Sequence, residues 1–108
     1  MKILITGGKS VQALKLVNAF TEDTIVLADY GDMPSFPSAK YFMASLGERN
    51  DDIIAHNLLS HCLDHGTDAV LPLHDFEIAD ITKSKVLFEE FNIQVLIPEP
   101  HQIIQSKY

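Results

Sequence analysis

Three chemically active residues stand together in one short stretch, His74, Asp75 and Glu77, directly after the apolar run Ala69–Leu73. An imidazole among carboxylates is the material of acid–base chemistry. The same three residue types also serve as helix caps, and Asp75 suits the cap of a following helix. A second such place is Gly7-Gly8-Lys9-Ser10, which leaves the apolar run Lys2–Thr6. Glycines there allow positive φ, and backbone N–H groups at a helix start can face an anion. A third is Asp29, at the end of the run Thr24–Ala28, where dinucleotide-binding folds place an acid for the ribose.

Spacing narrows what these residues can be. A phosphate-binding P-loop needs a glycine five positions before its second glycine, and Ile3 occupies that place for Gly8. The dinucleotide fingerprint from Gly7 needs glycines where Lys9 and Gln12 stand. A phosphoacceptor receiver needs acids after the first strand and a lysine after the last, and these places hold Thr6-Gly7 and Pro98-Glu99. No Ser-His-Asp or Cys-His arrangement is evident. His61 and His65 have the i, i+4 spacing of a helical zinc pair, with Cys62 between them, while His56 projects from nearly the opposite side. Two ligands do not close a tetrahedral site, so no metal is expected.

The elements that position these residues are read from periodicity. Apolar runs at Lys2–Thr6, Thr24–Ala28, Ala69–Leu73 and Gln94–Ile97 predict buried parallel strands, with a weaker edge strand at Tyr41–Ala44. Ser10 is the expected cap of a helix from Val11 to Phe20, with Ala13, Leu16, Val17 and Phe20 on one face. Gly31–Ser38 reads as loop. Asn50 or Asp51 is expected to cap a second helix, with Asp51 and Asp52 in its first turn and Ile54, Ala55, Leu58, Leu59 and Cys62 along its apolar stripe. Gly66 stops that helix. A single helix from about Glu77 to Phe91 is expected to bury Ile81, Phe88 and Phe91. Pro98 and Pro100 are expected to end regular pairing.

Strands alternating with helices predict an α/β fold, a Rossmann-like open parallel sheet with helices on both faces and strand order 3-2-1-4-5. In such sheets ligands bind at the carboxyl ends of the strands, near the switch in strand order. Gly7, Gly8, Lys9, Ser10, Asp29, His74, Asp75 and Glu77 all leave that edge, so they are expected to line one cleft.

The 108 residues make one domain with a single core, 46% hydrophobic and 21% charged. A net charge of −7 without a Lys/Arg cluster argues against a nucleic-acid surface. No apolar run is long enough to span a membrane. The start MKILITGG reads as a first strand and not as a signal peptide. A lone cysteine fits a reducing cytoplasm.

The layout from Asp68 to Tyr108 resembles the last part of the N-terminal, pre-ATP-grasp domain of ATP-grasp ligases. It is most similar to the group like the large subunit of carbamoyl-phosphate synthase. The residues that carry the likeness are a strand ending in Pro72, the Asp75-Phe76-Glu77 loop, a helix, a strand ending in Pro98, and Lys107 near the end of a short tail. Ser106 stands where the family has an acid before that lysine. Before Asp51 the likeness is one of layout, with Ile3–Gly8 as the sharper match.

The resemblance implies the substrate-side domain of a carboxylate–amine ligase, facing a small carboxylate. ATP and Mg²⁺ would be held by further ATP-grasp domains, in cis or in a partner chain, and Lys107 would open the ATP-binding part. By this reading the isolated chain carries no cofactor and no catalytic residue, and a homodimer is allowed. Two alternatives stay open: a Rossmann-like module binding a nucleotide or sugar-nucleotide, and a non-catalytic regulatory or interaction domain.

Overall fold

A computed structural model describes residues 1–33 and 41–105. In chain order the elements are β1 (Lys2–Ile5), α1 (Val11–Ala19), β2 (Thr24–Asp29), β3 (Tyr41–Ser45), α2 (Ile54–His65), β4 (Ala69–Leu71), α3 (Asp75–Lys83), α4 (Lys85–Glu90) and β5 (Gln94–Val95). A 3₁₀ turn, Pro100–Gln102, follows. The loop expected over residues 31–38 lies mostly outside the described residues.

The strands form an all-parallel sheet in the order β3-β2-β1-β4-β5, as the alternation of elements predicts. Register follows from the period of two along each strand. Leu4 is level with Val26 on one side and Val70 on the other, and Val70 is level with Val95. These four side chains form one buried row beneath α2, α3 and α4, with Leu58, Cys62, Ile81 and Phe88. Ile3, Ile5, Ile25, Leu27 and Leu71 point the other way and pack with Ala13, Leu16 and Val17 of α1. Both sheet faces are therefore covered, which is why the strands read as unbroken apolar runs.

Ser10 caps α1 as expected, accepting from the Ala13 N–H at 3.1 Å. Gly66 ends α2 at φ 62°, a left-handed conformation that suits glycine. Four other local expectations are corrected.

The cap of α2 is Ile53, without a side-chain bond. Asn50 instead closes an earlier turn, accepting from the Asp52 N–H at 3.0 Å, so Asp51 and Asp52 precede the helix rather than occupy its first turn.

The helix expected from Glu77 to Phe91 is two helices that break at Ser84. Thr82 donates its hydroxyl back to the Ile78 carbonyl at 2.7 Å, a bond that bends helices. Ile81 and Phe88 are buried, but Phe91 lies past the helix end and is 48% exposed. Asn92, at φ 60°, turns the chain there toward β5.

Strand β4 ends before Pro72, which has no N–H to offer the ladder. Pro98 and Pro100 do not end all pairing either. Ile104 returns to form a parallel bridge with His74, its N–H donating to the Leu73 carbonyl at 2.7 Å.

The β1–α1 turn lies directly against β2. The Gly8 N–H donates to the Ala28 carbonyl at 2.9 Å, and a Cβ on Gly8 would sit 2.9 Å from the Ala28 nitrogen, the Leu27 carbonyl carbon and the Leu27 Cβ. Two of those atoms are backbone and cannot swing away. Gly8→Ala is therefore expected to lower unfolding free energy by about 2 kcal/mol, within the cost of overpacking. Leu63→Ala, on the exposed face of α2, should cost about 0.5 kcal/mol or less. Urea denaturation of the two variants checks this, and equal losses would mean that the turn has room to yield.

Candidate functional site at the carboxyl edge of the sheet

The ends of β1, β2 and β4 meet around two buried carboxylates. The Glu77 side chain is fully buried in the first turn of α3. It accepts from the Thr6 hydroxyl at 2.5 Å, the Tyr30 hydroxyl at 2.7 Å and the His74 N–H at 3.2 Å. These donors come from the end of β1, the residue after β2 and the cap of α3. Burial pushes the Glu77 carboxyl above the usual carboxylate range, against the pull of the three donors and of His74. The Tyr30 phenol is pushed well above its ordinary value by burial and by the neighbouring Glu77 charge, so it remains a donor.

Asp29, 7% exposed, is the second carboxylate. Its Oδ1 lies 2.9 Å from His74 Nε2 and also accepts from the Tyr30 N–H at 2.9 Å, while its Oδ2 accepts from the Lys9 N–H at 3.3 Å. Burial raises the Asp29 pKa, but the His74 bond and the two backbone donors outweigh it and the net shift is downward. Burial likewise lowers the His74 pKa, and Asp29, with Glu77 and Asp75, reverses that to a net rise. Both shifts favour the charged forms of this pair.

An aromatic stack extends the edge. The Phe76 ring stacks on His74 at 5.0 Å between centroids, and Tyr30 packs against both. The Arg49 guanidinium sits 3.6 Å over the Phe76 ring and pairs with Asp51 through two bonds of 2.7 and 3.1 Å.

The structure thus brings Gly7, Gly8, Lys9, Ser10, Asp29, His74, Asp75 and Glu77 to one edge. Lys107 lies outside the described residues. Two roles differ from expectation. His74, not Asp75, is the cap of α3, and Asp75 is its first residue, with its N–H donating to the Ile104 carbonyl at 3.0 Å. The glycine-turn N–H groups do not point at an external anion, because Lys9 N–H is taken by Asp29 and Gly8 N–H by Ala28. Ser10, in its expected place as the cap, donates its hydroxyl to the Gly7 carbonyl at 2.6 Å while accepting from Ala13.

Thr6, Tyr30, Arg49, Phe76 and Ile104 belong to this edge and were not singled out in the sequence. Thr6 and Tyr30 each adjoin a residue placed at a strand end, but neither type is unusual there. Nothing in the sequence ties Arg49 to Phe76.

Away from this edge, the His61 and His65 rings stack at 6.4 Å. Burial and the neighbouring His65 lower the His61 pKa. Cys62 is buried, and burial pushes its thiol up to about 11. Among the described residues no group of three His, Cys, Asp or Glu side chains is arranged for a metal ion, and no helix is long and apolar enough to cross a membrane. No protein-family model matches the chain, and no curated protein matches it in sequence.

Tyr30→Phe removes one of the three donors to a buried carboxylate and is expected to cost about 1–3 kcal/mol. The pH dependence has a definite sign. Glu77 has a raised pKa in the folded state, so the folded protein holds that proton more tightly than the unfolded chain does. Its contribution to stability is full below the unfolded value of 4.5 and falls as pH rises through the folded value. Loss of a donor to the ionised form enlarges that fall. Urea denaturation of both proteins from pH 4 to 8 reads it, and a gap that stays constant with pH would contradict the assignment.

Proposed function

We propose that this chain is the substrate-side N-terminal domain of an ATP-grasp ligase of the carbamoyl-phosphate-synthase-like group. The observation that carries the reading is the clustering of β1, β2 and β4 ends around Glu77 and Asp29. It uses the Asp75-Phe76-Glu77 segment on which the family likeness rests, at the sheet edge where α/β folds hold ligands. The path of the chain supports it as well, because Ile104 crosses that same edge beside His74.

In this role the domain supplies a fixed wall rather than a reacting group. Its carboxylates, its cap serine and its turn N–H groups are already engaged with one another. A small carboxylate substrate would meet the His74–Asp29 pair and the Lys9 side chain. ATP and Mg²⁺ would be held by the ATP-binding domains with which this wall forms a cleft. Such enzymes make an acyl phosphate that an amine then attacks, and no described residue here is assigned to either step. The reading places the protein in the cytoplasm.

The nucleotide-binding alternative is weakened, since the Gly8, Lys9 and Ser10 N–H groups of the turn donate inside the protein. Calorimetric titration of the 108-residue chain with Mg-ATP separates the readings. The ATP-grasp reading expects binding no tighter than about millimolar, roughly −4 kcal/mol, and no phosphate release with or without carboxylates. Micromolar binding abolished by Gly8→Val would favour the nucleotide module. Carboxylate-dependent phosphate release by the chain alone would overturn the proposal.

A further inference from the structure

The segment 103–105 lies over the glycine turn as a strap. The Ile104 side chain packs with the α1-side core, and a Cβ added at Gly7, which has φ 65°, would collide with the Ile104 Cδ1. Gly7 is therefore the seat of the strap. Two backbone bonds attach it, Ile104 N–H to the Leu73 carbonyl at 2.7 Å and Asp75 N–H to the Ile104 carbonyl at 3.0 Å. Both use the ledge Leu73–Asp75.

The ledge is itself tethered at three points. Leu73 N–H donates to the Thr6 hydroxyl at 2.8 Å, His74 N–H donates to Glu77, and the His74 imidazole reaches Asp29 at 2.9 Å. The third tether is the one that crosses to β2 through an ionisable side chain, and the His74 side chain is 18% exposed, so protons reach it.

We propose that the His74–Asp29 pair is a proton-operated latch for the strap: the charged pair holds the ledge and keeps Ile104 on Gly7, and neutral His74 loosens the ledge and uncovers the glycine turn. The latch is a regulatory device of the fold and stands whether or not the ATP-grasp reading does.

The groups facing His74 set the sense of the switch. Asp29 approaches from β2, and Glu77 and Asp75 from α3; all three favour the imidazolium. The Tyr30 ring packs beside it and stays protonated. Arg49 is separated from it by the Phe76 ring. Lys9 reaches the pair through its backbone N–H, while its ammonium donates to the Tyr30 carbonyl at 2.7 Å. A folded-state His74 pKa above the unfolded 6.5 makes the contribution full below 6.5 and lost as pH rises through the folded value. Asp29, shifted downward, gives a contribution present above 3.8 and lost as pH falls through its folded value. The latch is closed between those limits and opens on the alkaline side.

The test is an NMR titration of the full chain from pH 5 to 9, following the His74 ring and the Ile104 and Asp75 amides. Both amides are expected to shift with the His74 midpoint. Their hydrogen-exchange protection, corrected for intrinsic rates, should fall roughly tenfold through it, the loss of one charge-assisted bond. The Val70 amide in the central sheet should keep its protection. In His74→Gln the Ile104 protection should lie at the high-pH wild-type level and not respond to pH; Asp29→Asn provides the same comparison if that variant fails to fold. Ile104 protection that is flat in the wild type would overturn the latch. So would a pH response that survives in His74→Gln, since Glu77 and not His74 would then be its source.

Discussion

A carboxylate buried without a cation of its own must be surrounded by donors, and Glu77 organises this protein by that requirement. Its three donors come from different parts of the chain. Thr6 brings the end of β1, Tyr30 brings the segment after β2, and His74 brings the start of α3. Thr6 is also used twice, since its hydroxyl accepts from Leu73 while donating to Glu77. Thr6 thereby also satisfies the Leu73 N–H just past Pro72, where β4 leaves the ladder. One side chain thus fixes the relative heights of three strand ends, and hydrophobic packing alone, being non-directional, would not.

The engagement of these groups limits what the edge can do. In an open α/β sheet the strand-to-helix turn near the switch point ordinarily offers free N–H groups to a ligand. Here Asp29 fills that role from inside the fold, accepting from Lys9 and from Tyr30. An external anion would have to compete with a carboxylate already held at short distance. The polar groups of the edge are thus engaged with one another.

The topology was legible in the sequence because both sheet faces are covered, which turns each central strand into an apolar run. The convergence of Gly7, Asp29 and the His74–Glu77 segment followed from topology alone. What escaped was local competition for hydrogen bonds. Asn50 is a good cap by type, yet its side chain closes a turn ahead of α2, and Ile53 takes the cap position. Thr82 and Ser84 interrupt an apolar period that reads as one helix. Asn92, which adopts the left-handed conformation, was the available sign that α4 ends before Phe91. Tyr30 and Thr6 escaped because neither is unusual at a strand end, and their role exists only once Glu77 is placed between them.

The two carboxylates at this edge are not independent. Tyr30 serves both, its N–H donating to Asp29 and its hydroxyl to Glu77. His74 also serves both, its ring pairing with Asp29 and its N–H donating to Glu77. An imidazolium at this point offsets one of two negative charges in a region where burial disfavours either. The proton on His74 therefore bears on Glu77 as well: when the imidazole is neutral, the cost of ionising Glu77 rises, because the nearest compensating charge has gone. Protonation at the edge is therefore a shared property of Asp29, His74 and Glu77 and belongs to no one of them.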